Sequence, residues 1–245
     1  MLNSSRKILI TGGTSGIGLA MLQQLHEEGH DLIAVARDGV HLSNLENKHD
    51  RVTAYQCDLS SRQRVESLAD KLMREHEDLS VIINNAGVQY TPTFLDDDFS
   101  YDSIEYETRV NFLAPVWLTS LLLPLLLNQQ QPAAIVNLSS GLALAPKTHS
   151  AIYCATKAAI HSFSQCLGYQ LDGTSVSSVE AIMPLVDTPM TKGRGTGKIS
   201  PEYAAQQVIK GIRAGKREIY VGKAKWLPML LRLSPSLVKG MLRRS

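Results

Sequence analysis

Apolar residues fall along this chain in two rhythms. Short runs such as Ile8-Leu9-Ile10 and Val81-Ile82-Ile83 alternate with longer segments in which apolar positions recur every three or four residues. That alternation is the pattern of a parallel sheet covered by helices. The short runs predict strands over 7–11, 32–36, 52–56, 80–84, 134–138, 176–182 and 218–221, and the longer segments predict helices near 16–28, 40–48, 62–76, 103–128, 151–171 and 201–214. The first helix has Ile17, Ala20, Met21, Leu22 and Leu25 as its buried stripe and stops at Gly29, a residue free to take the left-handed cap. Ser200-Pro201 marks another start, because a serine oxygen accepts from the free first-turn amides and proline suits the first helical position.

Length and composition narrow the picture. The 245 residues, 44% apolar and 20% charged with 17 Gly and 10 Pro, suit one folded α/β domain and exclude disordered, collagen-like and mucin-like chains. The run Leu118–Leu127 is interrupted by Pro124 and is too short for a bilayer, so it is expected as a buried or interfacial helix. Cys57, Cys154 and Cys166 form an odd set without a CxxC pair, which argues against a disulfide framework and a thiolate metal site and favours a reducing compartment. His149 and His161 lack ligand spacing as well, and no metal is expected. MLNSSRKILITGG enters a strand-like run at once, leaving no room for a signal peptide, so a cytoplasmic protein is expected.

A net charge of +2 gives no reason to expect a nucleic-acid partner, yet the charge is unevenly placed. Residues 210–245 carry ten Lys or Arg against the single acid Glu218. One domain is therefore expected over 1–222, with a basic amphipathic extension over 223–245. In the extension Pro228 and Pro235 divide short pieces, and Leu237, Val238, Met241 and Leu242 share one helical face while Lys239, Arg243 and Arg244 point elsewhere. Trp226 adds an aromatic suited to an interface. Two readings fit: the segment packs on the domain or a partner subunit, or it lies peripherally on an anionic membrane at the inner face.

Candidate chemistry gathers where predicted strands end. Thr11-Gly12-Gly13-Thr14-Ser15-Gly16-Ile17-Gly18 joins the first strand to the first helix. Glycines there let the backbone turn tightly and approach a pyrophosphate, whose charge would sit at the amide-rich helix start; a plain tight turn is the alternative. Tyr153 and Lys157 lie one helical turn apart, so an ammonium stands beside a phenol and can lower its pKa. Ser139-Ser140, Asn84-Asn85-Ala86-Gly87 and Cys57-Asp58-Leu59 end three more strands at the same carboxyl edge, where α/β sheets bind ligands, although turn and cap chemistry would explain each singly. At the second strand's end Ala36-Arg37-Asp38 offers a guanidinium, which pairs with a 2′-phosphate; a rotated Asp38 could reach a ribose instead. The loops 88–102 and 189–199 are expected to form a lid, and the second, with alternating Gly193, Gly195 and Gly197, is expected to be open or disordered in apo crystals.

Taken together, TGGTSGIG, Asp58-Leu59, NNAG, Asn111 in RVNFLAP, Ser140 and YCATK resemble the short-chain dehydrogenase/reductases over residues 7 to about 222. Through AAIVNLSSGLA, IYCATKAAIHSFSQCL and PLVDT the likeness is to the branch named for D-alanine esterification of teichoic acids. The resemblance implies a Rossmann-type doubly wound parallel sheet of about seven strands with helices on both faces. It also implies an oxidoreductase moving hydride between NADP(H), preferred over NAD(H), and a carbonyl or secondary alcohol. Tyr153 would be the general acid–base, Lys157 its partner and binder of the nicotinamide ribose, Ser140 the hydroxyl on the substrate oxygen, and Asn111 the end of the proton relay. Gly12, Thr14, Ser15, Gly16, Ile17, Gly18, Arg37, Asp58, Leu59, Asn85, Ala86 and Gly87 would line the cofactor, with Val186 and Thr188 closing on it from a PLVDT segment that stands where many members carry Pro-Gly. A homodimer or homotetramer through Val116, Trp117 and Leu121–Leu127 and through the Tyr153 helix is implied as well. The competing reading is a dinucleotide-binding regulator or scaffold that kept the fold and lost the chemistry.

Overall fold

The computed structural model describes residues 2–243. Seven parallel strands form one sheet: β1 (Lys7–Thr11), β2 (Asp31–Ala36), β3 (Val52–Gln56), β4 (Leu79–Asn84), β5 (Ala133–Ser140), β6 (Val176–Met183) and β7 (Glu218–Tyr220). Their spatial order is β3-β2-β1-β4-β5-β6-β7. The chain thus winds outward from β1 to one edge, returns beside β1 as β4, and winds to the other edge, which makes the carboxyl end between β1 and β4 the crevice of the sheet.

Alternating side chains divide the core between the two faces. Ile8 and Ile10, with Leu32 and Ala34, join the cluster under α1 (Gly16–Glu27), α2 (Gly39–Lys48) and α7 (Pro201–Arg213). Leu9, Ile33 and Val35 join the opposite cluster, under α3 (Arg62–Glu75), α5 (Ala114–Leu127) and the far end of α6 (Ala151–Gln170). The central strands are therefore apolar on both sides, as buried parallel strands must be.

The helix expected over 103–128 begins earlier and is not regular. After α4 (Tyr101–Thr108) comes a π-helical turn, Arg109–Leu113, before α5. The continuous 27-residue stretch Tyr101–Leu127 is apolar enough by length and composition to pass for a membrane span. Leu118, Leu122 and Leu126 are nevertheless fully buried in the core.

Beyond β7 the chain forms α8 (Leu227–Leu233) and α9 (Pro235–Arg243). The expected apolar face of α9 is split: Val238 and Leu242 turn inward, whereas Leu237 and Met241 are exposed. Leu227, Leu231, Val238 and Leu242 pack on Leu144 and Ala145. Arg243 is held too, since Thr148 donates to its carbonyl from the amide at 3.1 Å and from the hydroxyl at 2.8 Å. Arg244, which the sequence placed with the cations of this helix, lies outside the described residues.

Candidate active site

At the end of β1 the chain takes positive φ at Gly12 (67°) and Gly16 (52°), which glycine adopts without strain. Gly18 has no room for a side chain, because a Cβ there would stand 2.2 Å from the Gly12 carbonyl oxygen. The turn is braced from β4. Thr11 Oγ1 accepts from the amides of Asn85 and Ala86, both at 3.0 Å, and the Asn85 side-chain amide donates to the carbonyls of Thr11 (2.9 Å) and Gly12 (3.2 Å). Asn85, implied to line the cofactor, thus commits its Nδ2 to the turn. Ser15 begins α1 without a side-chain cap, and no acid stands in the first turn. Among the other helices α2, α3 and α7 are capped by Asp38, Ser61 and Ser200, whereas α4, α5 and α6 also begin without a side-chain cap. The Thr14–Gly18 segment thus keeps an uncapped, positively polarised helix end suited to a phosphate.

Asp38 is that α2 cap: its Oδ1 accepts from the amides of Val40 (2.9 Å) and His41 (3.1 Å), and its Oδ2 pairs with His41 at 2.7 Å. Those bonds hold its carboxyl below the usual carboxylate range. Arg37 remains exposed at the strand end, with its guanidinium over the Tyr106 ring and bonded to the Tyr106 hydroxyl. Across the edge, burial pushes the Asp58 carboxyl up, but bonds from the Ser60 amide and hydroxyl together with Arg37 and Arg64 hold it lower than usual. Leu59 is buried in the core, so only its backbone can face the crevice.

The central group comes together from four elements. Lys157, buried on α6, donates from Nζ to the Leu138 carbonyl at 2.7 Å and lies 5.6 Å from the centre of the Tyr153 ring. Ser140 ends β5 beside the Tyr153 phenol, whose pKa it pulls down, and its hydroxyl accepts from the Leu142 amide at 3.2 Å. Asn111 stands in the π-helical turn, fully enclosed. Its Oδ1 accepts from the Val88 amide and its Nδ2 donates to the Val88 carbonyl, both at 2.8 Å, with Thr156 Oγ1 at 3.3 Å. A Cβ built on Gly87 would lie 3.3 Å from Asn111 Oδ1 and 3.9 Å from Lys157 Nζ, so the NNAG segment, Asn111 and Lys157 meet at one point. π-helical turns recur at functional sites, and this one aims Asn111 at the strand end.

The electrostatics differ from the simple pairing that the Tyr–Lys spacing suggests. Burial pushes the Tyr153 phenol up to about 12, and the opposing pull comes from Ser140 and Arg194. Burial also pulls the Lys157 ammonium down to about 8, against Glu180 and Glu107, which favour its charge. At neutral pH the phenol keeps its proton and the lysine its charge.

Two acids in this setting escaped the motif reading. Glu107, one helical turn before Asn111, is fully buried, accepts from the Tyr90 amide at 3.3 Å, and is pushed by burial up to about 7. Ser103, Glu107 and Asn111 form a polar line at four-residue spacing, a signal that was there to read. Glu180 is a lone acid in the apolar strand β6; it accepts from the Ser139 hydroxyl and pairs with His161 Nδ1 at 2.7 Å.

Val186 is buried and bridges to Ile199, and Thr188 lies against the glycine turn, its Cγ2 being 3.1 Å from where a Gly16 Cβ would stand. The 189–199 segment is tied down. Arg194 donates to Gln89 at 3.0 Å, Gln89 to Ser150 at 3.1 Å, and Lys198 to the Thr191 carbonyl at 2.7 Å. Ser150, which starts α6 just before Tyr153, is the one non-glycine with positive φ (67°) among the described residues. Among those residues no three His, Cys, Asp or Glu side chains gather as a metal site.

Residues 6–198 match the short chain dehydrogenase family. The chain is 37% identical over 227 residues to "Uncharacterized oxidoreductase DltE" of Bacillus subtilis (strain 168), covering 89% of each chain. Its fold is that of a short chain dehydrogenase from Burkholderia cenocepacia J2315 crystallised in complex with NADP (TM-score 0.87, 23% identity, 98% of each chain). It is equally like a short chain dehydrogenase/reductase from Burkholderia phymatum in complex with NAD (TM-score 0.86, 20% identity, 100% of this chain and 98% of that one).

Proposed function

Because this chain belongs to the short-chain dehydrogenase family, we propose that it is an NADP(H)-dependent oxidoreductase acting on a small-molecule carbonyl or the corresponding secondary alcohol, with Tyr153 as general acid–base. The observation that carries the reading is the meeting of Asn111, Ser140, Tyr153 and Lys157 at the carboxyl edge, next to an uncapped helix start. A scaffold that only bound a dinucleotide would have no need of a phenol, an ammonium and two amide or hydroxyl groups on one spot. When bound, the nicotinamide gives or takes the hydride.

The chain's residues do the rest. The amides of Thr14–Gly18 take the pyrophosphate, which Gly12 lets approach closely, Asp58 and the Leu59 backbone meet the adenine, and Ala86 and Gly87 with Val186 and Thr188 enclose the nicotinamide end. Asn85 holds the glycine turn in shape and faces the cofactor's sugar. Ser140 holds the substrate oxygen, and Tyr153 delivers its proton to that oxygen in reduction or accepts it in oxidation. A phenol held near 12 carries the proton that reduction consumes. Lys157 positions the nicotinamide ribose, and Asn111, held on the Val88 backbone, completes the proton relay.

NADP(H) is favoured over NAD(H) by the division of labour at the end of β2. Asp38 is committed to capping α2, which leaves the Arg37 guanidinium as the group at hand for a 2′-phosphate. The partly buried Phe112, Trp117, Leu121 and Phe163 on and beside α5 and α6 support a homodimer or homotetramer. Three free thiols suit the cytoplasm. A screen of purified protein against aldehydes, ketones and secondary alcohols, with each cofactor, tests the proposal: turnover of at least one class with NADPH or NADP is expected, and cofactor binding without turnover of any class would favour the scaffold.

A further inference from the structure

The two helices that end the chain leave a surface the catalytic reading does not use. On and just before α8, Trp226, Met229, Leu230 and Leu233 recur at three- and four-residue spacing and are all exposed, while Leu227 and Leu231 turn inward. On α9, Leu237 and Met241 repeat the arrangement outside, with Val238 and Leu242 inside. The exposures are large, 73% for Leu233 and 69% for Met241. Of the large apolar side chains the fold leaves exposed, this one segment holds the greatest concentration. Water-exposed apolar stripes on two successive helices mark an interaction site.

Charge identifies the occupant. Lys223, Lys225, Arg232, Lys239 and Arg243 are exposed around these stripes, and residues 223–245 contain no Asp or Glu. Among the described residues none of the five pairs with a carboxylate. A second copy of the chain would bring the same cations to a shared two-fold face and repel it. An anionic lipid surface instead takes cations at its phosphates and apolar side chains at the acyl boundary, and Trp226, with Lys225 Nζ 5.2 Å from its ring, suits the headgroup level. The platform is also fixed in place, through Leu227 against Gly141 and Thr148 on the Arg243 carbonyl. We propose that the outer face of Trp226–Arg243 docks the protein reversibly on an anionic phospholipid bilayer. An apolar face and a basic cluster together supply the two signals that such binding requires.

Full-length protein is sedimented with vesicles of phosphatidylcholine alone and of phosphatidylcholine with phosphatidylglycerol, at low and high salt. Binding is expected to the phosphatidylglycerol vesicles only, weakening by about tenfold or more at high salt. Trp226 emission should shift to the blue on binding and lose that shift in Trp226→Phe. Leu233→Ser with Met241→Ser, and separately Arg232→Gln with Lys239→Gln, should each weaken binding by about tenfold, and circular dichroism establishes that each variant is folded. Equal binding to both vesicle types, or none to either, overturns the proposal. So does a dimer in light scattering that Leu233→Ser with Met241→Ser dissociates while vesicle binding stays absent, since that assigns the face to a second copy.

Discussion

Lys157 donates to the Leu138 carbonyl at 2.7 Å, one residue from the strand position next to Ser140. This bond fixes where the ammonium stands, and burial pulls its pKa down to about 8. The lysine therefore loses its charge as pH rises through that value. In kcat/KM for the varied cofactor, which reports the free enzyme, a decline is expected above about pH 8. Lys157→Met should lower kcat/KM at pH 7 by about 100-fold or more and remove this limb of the profile. A variant that keeps the limb assigns the titration to another group.

Glu107 gives a pH effect on stability. Its folded pKa, about 7, lies above the unfolded value near 4.5, so the folded chain holds the proton more tightly and stability is full below about pH 4.5 and falls as pH rises through about 7. The difference in pKa corresponds to roughly 3 kcal/mol at most. Glu107→Gln keeps an acceptor for the Tyr90 amide and removes the titration. Thermal melts at pH 5 and pH 8 should show wild type losing more stability than Glu107→Gln across that interval; parallel losses would count against the buried carboxyl.

At the glycine turn, Gly18→Ala forces a Cβ against the Gly12 carbonyl, a backbone atom that cannot give way alone. A stability loss of about 1–3 kcal/mol and at least about tenfold weaker dinucleotide binding are expected by calorimetry. Gly29→Ala has nothing within 4 Å but carries φ of 86°, so it should cost stability alone and leave binding intact.

Arg37→Ala tests cofactor choice. Wild type should prefer NADPH to NADH in kcat/KM, and the variant should lose about 10-fold to 100-fold of that preference, as expected for a charge-assisted pair with a phosphate. A wild-type preference for NADH would overturn the reading of β2's end.

The strand and helix order was legible because buried parallel strands and amphipathic helices have different apolar periods. The π-helical turn at Arg109–Leu113 was not, since its poorer local geometry is repaid by the bonds Asn111 makes to Val88 and Thr156, which no local pattern announces. The spacing of Tyr153 and Lys157 correctly put both on one side of α6. It could not tell that desolvation would dominate both groups, pushing the phenol up and pulling the ammonium down, because burial is set by packing from other elements. Asp38 was ambiguous between a cap and a ribose ligand until its two amide partners were placed.

The most direct test is Tyr153→Phe, which removes the proton donor and leaves the ring. With a substrate found in the carbonyl screen, single-turnover oxidation of NADPH should fall by about 1,000-fold or more while the NADPH dissociation constant stays within about twofold of wild type. Turnover unchanged by the substitution would contradict the assignment of Tyr153 as the acid–base.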